Sequence, residues 1–172
     1  MTGHSHSSTT DSTTDCSTLK PHSHDDSAPI EILHVEPSSR VAELLAAFAD
    51  RTSDRFVVRS VDRVATALAA ADGADCVVTE QRLPDGTGIE LLDDLRRGGS
   101  DRPIVFHTTC RGAAVEAEAS AAGADAYVRK TASRGQYDAI LDRVRSLVRE
   151  DRISERTAAP ATDPVVSRRA ED

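Results

Sequence analysis

The chain has 172 residues, 38% hydrophobic and 29% charged, room for one domain of ordinary size with tails but not for two large domains. Its formal net charge of -8 disfavours non-specific binding of nucleic acid, which needs a basic face. Cys16, Cys76 and Cys110 sit at no metal-ligand spacing and support neither a disulfide framework nor a zinc knuckle.

The opening MTGHSHSSTT has neither the basic nor the apolar region of a secretion signal, and no apolar run is long enough to span a bilayer. These features point to the cytoplasm, with no membrane contact. Residues 1 to 29 are rich in Ser, Thr, His and Asp and hold few side chains to offset the entropy of ordering, so disorder is expected there. Lysine occurs only at Lys20, in that segment, and at Lys130.

From Ile30 onward, short runs of β-branched residues alternate with stretches of helical period, the pattern of a βαβ series around a parallel sheet. Ile30 to Val35 is the first strand. Ser38 or Ser39 then caps a helix whose Val41, Leu44, Leu45 and Phe48 fall on one face. Phe56 to Val58 reads as the second strand, and Asp62 as the cap of a helix reaching Ala71. Cys76 to Thr79 is a buried third strand. Leu83 to Gly88 (LPDGTG) is a loop, followed by a helix from Ile89 to Arg97 that Gly98 and Gly99 end. Pro103 introduces the strand IVFH. An alanine-rich helix, the strand AYVR and a helix from Gln136 to Glu150 complete five βα units, the last with Ile140, Leu141, Val144, Leu147 and Val148 inward. From Arg152 no period is sustained, and residues 152 to 172 read as a disordered tail. The domain is therefore expected over residues 30 to 151.

Ligands of an open parallel sheet bind beyond the carboxyl ends of its strands. The residues that follow or end the apolar runs there are Glu36, Glu80, Thr108 and Lys130. Each alone is ordinary strand-end polarity, but together they gather acids, a hydroxyl and an ammonium on one edge.

With ILHVEPSSR, CVVTEQRLPDGTGIELL, PIVFHTT and GADAYVRK at these positions, the chain resembles the receiver domain of two-component response regulators over residues 30 to 150. The resemblance implies an α/β, doubly wound, flavodoxin-like five-stranded parallel sheet of order 2-1-3-4-5. It places Glu80 where the family has its phosphorylated aspartate and Glu36 at the first of two magnesium-holding acids. Pro37 stands at the second and has no carboxylate. Thr108 matches the hydroxyl that follows phosphorylation, Tyr127 the aromatic that swings in with it, and Lys130 the lysine that pairs with phosphoryl oxygens. Thr131 stands where the family often has proline.

A glutamate is one methylene longer than aspartate, and a displacement of about 1 Å can cost roughly 100-fold in phosphoryl transfer. With Pro37 in place of a ligand, magnesium is expected to bind weakly or not at all. Two consequences stay open: Glu80 imitates an aspartyl phosphate toward Lys130 and Thr108, or the site has decayed and Glu80 merely satisfies Lys130. The leading expectation is a non-enzymatic, stand-alone receiver acting by protein contact in a phosphorelay pathway, without phosphorylation at position 80. Its partner would be a histidine kinase or a downstream signalling protein, engaged through residues 112 to 150, and a homodimer stays open. The alternative is a phosphorylatable regulator taking phosphate from a histidine kinase on Glu80 or Asp85. A metal-dependent flavodoxin-like enzyme is a weaker third reading, because it needs more carboxylates. His4, His6, His22 and His24 with Cys16 have a metal-binding composition, though incidental histidines in disorder are the commoner case. His34 and His107 read as structural, and Arg111 beside Cys110 is slender ground for thiol reactivity.

Overall fold

The computed structural model describes residues 28–52 and 55–158. The elements in chain order are β1 (Ile30–Val35), α1 (Ser39–Thr52), β2 (Phe56–Val61), α2 (Val64–Ala70), β3 (Cys76–Thr79), β4 (Arg82–Leu83), β5 (Gly86–Thr87), α3 (Gly88–Arg97), β6 (Ile104–Thr108), α4 (Ala113–Ala121), β7 (Ala126–Arg129) and α5 (Gly135–Ala158). Five strands form one sheet of order β2-β1-β3-β6-β7, and β4 pairs with β5 as a separate two-stranded ribbon. All four pairings within the large sheet are parallel. With the ribbon set aside, this is the 2-1-3-4-5 order of the flavodoxin-like fold.

Alternation along the strands explains the three layers. Leu33, Val35, Val77, Ile104 and Phe106 turn to one face and join residues of α2, α3 and α4. Ile30, Ile32, Cys76, Val78 and Val105 turn to the other, against α1 and α5. Strands β3 and β6 are buried throughout because helices cover both faces, which is why they read as continuous apolar runs. Helix α5 buries Ile140, Leu141, Val144, Leu147 and Val148 as its period requires, each worth about 1.5 to 3 kcal/mol of transfer free energy.

Four local expectations need correction. Strand β2 continues through Arg59, Ser60 and Val61, held along its whole length by β1. Helix α2 is not capped by Asp62, which pairs with Arg63 instead. The carboxylate of Asp85, 21 residues away, accepts from Val64 N at 2.7 Å and from Ala65 N at 3.0 Å. The stretch read as a loop holds the β4–β5 ribbon, and Thr87 with Glu90 closes a full capping box on α3. Finally, α5 runs to Ala158, well past Glu150, so the first part of the expected tail is helix. Arg152 supplies one reason, reaching Asp75 at 3.3 Å where the chain enters β3.

Candidate functional site

The ends of β1, β3, β6 and β7 bring Glu36, Glu80, Thr108 and Lys130 together as the sequence suggested. Parallel register makes this geometry. Glu36 N donates to Val61 O at 2.8 Å, Glu80 N to Val35 O at 2.9 Å, and Lys130 N to Thr108 O at 2.8 Å, so each residue is pinned to the strand beside it. Glu36 is 4% exposed, Glu80 5% and Thr108 0%.

One ammonium serves two carboxylates. Lys130 Nζ lies 2.5 Å from Glu36 Oε2 and 2.7 Å from Glu80 Oε2. Glu80 Oε1 accepts from the Thr108 hydroxyl and from Gln81 N at 2.6 Å. Its other oxygen also takes a long bond from Thr109 N, 3.4 Å. Glu36 Oε1 accepts from Ser38 N at 3.0 Å. Burial works against ionisation of Glu80, but the bonds from Lys130 and Thr108 and the lysine charge outweigh it, holding the carboxyl below its ordinary range. The close fit is completed by Gly88, where a Cβ would lie 2.7 Å from Glu80 O and 2.8 Å from Phe106 Cε1.

These contacts bear on the magnesium position of the family. Both carboxylates spend their oxygens on the ammonium, the hydroxyl and backbone N–H groups, and Pro37 offers no ligand. The arrangement does not fit a divalent cation, which would compete with Lys130 for the same atoms.

Thr108 and Tyr127 link the pocket to the flank of the sheet. Thr108 Oγ1 accepts from Cys110 N at 3.1 Å while donating to Glu80. Tyr127 stacks on Phe106, centroids 5.9 Å apart, and its hydroxyl donates to Cys110 O at 3.0 Å. Its phenol is pushed above the usual range, first by burial and then by neighbouring Cys110, Glu116 and Glu80.

Gln136 was not singled out by the sequence. Its Oε1 accepts from Thr131 N at 2.9 Å, its Nε2 donates to Thr131 O at 2.8 Å, and Oε1 also lies 3.1 Å from His107 Nε2. It thus brackets the residue after Lys130 from the first turn of α5, a contact no short sequence motif announces. His34 and His107 are each 1% exposed, on the α1–α5 face. Burial lowers their pKa values to about 3 and about 4, so both are neutral. Both nitrogens of His34 and the Nδ1 of His107 lack a hydrogen-bond partner. Cys76 is buried and its thiol is pushed up by burial, whereas Cys110 is half-buried beside the pocket. The histidines of the first 24 residues, Lys20 and Cys16 lie outside the described residues.

An open sheet of this order, with acid, hydroxyl and lysine converging at its carboxyl edge, defines a signal-receiver module. The chain belongs to the response regulator receiver domain family, whose model matches residues 32–142, and it is a component of two-component signalling. It is 32% identical over 126 residues to the response regulator MprA of Mycolicibacterium vanbaalenii, covering 70% of this chain and 51% of that protein. It is 28% identical over 150 residues to a protein-glutamate methylesterase/protein-glutamine glutaminase of Nocardioides sp., covering 80% of this chain and 41% of that protein. The chain therefore spans about half the length, or less, of these curated relatives. Among solved structures, the non-phosphorylated HemR receiver domain of Leptospira biflexa matches at 28% identity and TM-score 0.62, covering 69% of this chain and 95% of that one. The receiver domain of a putative LuxO repressor protein of Vibrio parahaemolyticus matches at TM-score 0.69 and 15% identity, over 77% of this chain and 99% of that one, a likeness of fold alone. Among the described residues no helix is long and apolar enough to cross a membrane.

Proposed function

We propose that this receiver signals by protein contact without phosphorylation at position 80, its own Glu80 filling the place of an aspartyl phosphate. The observation that carries the reading is the Glu80 carboxylate held between Lys130 Nζ, 2.7 Å away, and the Thr108 hydroxyl. In the family these two groups respond to a phosphoryl oxygen; here they are engaged by a side chain that never leaves. The half-buried Tyr127 ring, stacked on Phe106 with its hydroxyl on Cys110 O, is the side chain expected to respond to this contact. The surface of α4, β7 and α5, roughly residues 112–150, then stands ready for a histidine kinase or a downstream signalling protein in the cytoplasm. Magnesium has no part, because the two glutamates are committed to Lys130 and Pro37 is no ligand. Asp85 is an unsuitable substitute acceptor, since its carboxylate caps α2.

A charge-assisted hydrogen bond contributes about 1.5 to 3 kcal/mol, comparable to the few kcal/mol that separate two conformations of a bistable domain. Glu80→Gln keeps the length and removes the charge. In solution NMR the Tyr127 ring and Thr108 methyl resonances should shift together in this variant, away from their wild-type environment. Intact mass after treatment with acetyl phosphate and magnesium should show no phosphoryl group on the wild type. An unmoved Tyr127 ring in Glu80→Gln would leave the decayed-site reading in its place, and an acid-labile adduct on Glu80 would refute the absence of phosphorylation.

A further inference from the structure

Lys130 is the cation that two buried carboxylates share, and its Nζ can serve both only if the backbone beneath it is fixed. On the amino side the sheet holds it, with Lys130 N donating to Thr108 O at 2.8 Å. On the carboxyl side the sheet has ended. Residues 131 to 134 are exposed and belong to neither β7 nor α5, while a lysine side chain is among the costlier ones to order. A second restraint is needed just after Lys130.

Gln136, in the first turn of α5, supplies it. Its Oε1 accepts from Thr131 N at 2.9 Å and its Nε2 donates to Thr131 O at 2.8 Å, so one planar amide grips both backbone groups of the residue that follows Lys130. Thr131 has the N–H that a proline would lack. A third bond, 3.1 Å between Oε1 and His107 Nε2, anchors the amide to β6. Oε1 can only accept, so the neutral His107 ring carries its proton on Nε2. That anchor is itself packed in place: His107 is buried, edge-on to Tyr137, which stacks on Phe48 of α1. Two simpler duties do not account for Gln136. Every one of these side-chain bonds leaves α5, so Gln136 does not cap its own helix. Nor does the loop hold itself, since its bond from Ser133 N to Thr131 Oγ1 is long, 3.3 Å, and exposed.

We infer that Gln136 is the positioning residue of this pocket. Through the backbone groups of Thr131 it sets Lys130 over Glu36 and Glu80, and it joins that lysine to the start of α5 by a route apart from Thr108 and Tyr127. Lys130 pairs with Glu80 whether or not the carboxylate imitates a phosphate, so the role of Gln136 goes beyond the reading given above. The response of Tyr127 to Glu80→Gln tests that reading alone, and the behaviour of the Lys130 ammonium tests Gln136.

The experiment follows that ammonium by heteronuclear NMR of the nitrogen-labelled full chain. Lys20→Arg leaves Lys130 as the sole lysine of the sequence and assigns its signal. In this parent the ammonium protons should exchange slowly with water, because Nζ is held by two buried carboxylates. Gln136→Met keeps the bulk of the side chain and Gln136→Ala favours the helix; each removes all three bonds. In both, exchange through local opening should be about tenfold faster, the factor that corresponds to the upper end of a hydrogen bond's net worth. The Glu80 carboxyl should also titrate closer to 4.5 than in the parent. Thr131→Val keeps the gripped backbone groups, and Ile140→Val weakens the same helix from its buried face; both should exchange and titrate as the parent does. Unchanged exchange in a folded Gln136 variant overturns the inference. So does a parent whose ammonium exchanges as fast as a free lysine. Equal acceleration in Thr131→Val or Ile140→Val also overturns it, by assigning the effect to the loop hydroxyl or to overall stability.

Discussion

Acidification between pH 7.5 and 5 should destabilise this domain through His34 and His107, and replacing both should abolish most of that sensitivity. Burial holds their pKa values at about 3 and about 4, against 6.5 for an unconstrained imidazole. Below pH 6.5 the unfolded chain takes up protons that the native state refuses. Stability therefore rises with pH across the interval between folded and unfolded values and is lost as pH falls below 6.5. Each such proton costs about 1.4 kcal/mol per pH unit. At pH 5 the two rings together cost about 4 kcal/mol, a large share of a total stability of about 5 to 15 kcal/mol. Glu80 acts lower on the scale: its depressed carboxyl contributes stability present above the ordinary glutamate value and lost as pH falls through the folded one. Urea unfolding at pH 7.5, 6 and 5 isolates the histidine contribution. The wild type should lose about 4 kcal/mol over that range, and His34→Leu/His107→Leu no more than about 1 kcal/mol, since most of the titrating groups are gone. Removing three unpartnered ring nitrogens should leave the double variant no less stable than the wild type at pH 7.5. Equal losses in both proteins would refute this account of the buried rings.

Lys130→Met removes the cation between two buried carboxylates, with an expected loss of about 3 to 5 kcal/mol at neutral pH. With burial no longer offset, the Glu80 carboxyl should rise above 4.5 when followed by carbon-detected NMR; a value still below 4.5 would exclude Lys130 as the cause of its depression. Gly88→Ala places a methyl against Glu80 O and Phe106, and should cost about 1 to 3 kcal/mol in urea unfolding. A neutral result would show that the backbone at Glu80 yields more readily than this contact implies.

Much of the architecture was written in local pattern. β-branched runs separated by helical stretches dictate a parallel sheet with helices on both faces, and the α5 stripe buries the side chains its period selects. The residues at the strand ends identified Glu36, Glu80, Thr108 and Lys130, because a parallel sheet brings its carboxyl ends to one edge whatever the loops do. Local pattern failed where the partner is distant in the chain. Asp85 caps α2 across 21 residues, overriding the nearer Asp62, and Arg152 extends α5 by meeting Asp75 beneath β3. The Thr87–Glu90 capping box was readable from its three-residue spacing, whereas Gln136 acquires its role only when α5 lies against the loop after Lys130. The choice of partner within the pocket was likewise beyond sequence. Two glutamates and one lysine can pair in several ways, and it is the register of β1, β3 and β7 that sets Nζ between both carboxylates and turns Thr108 toward Glu80. Composition fixes the charges available to this protein, and tertiary structure decides which of them meet inside the pocket.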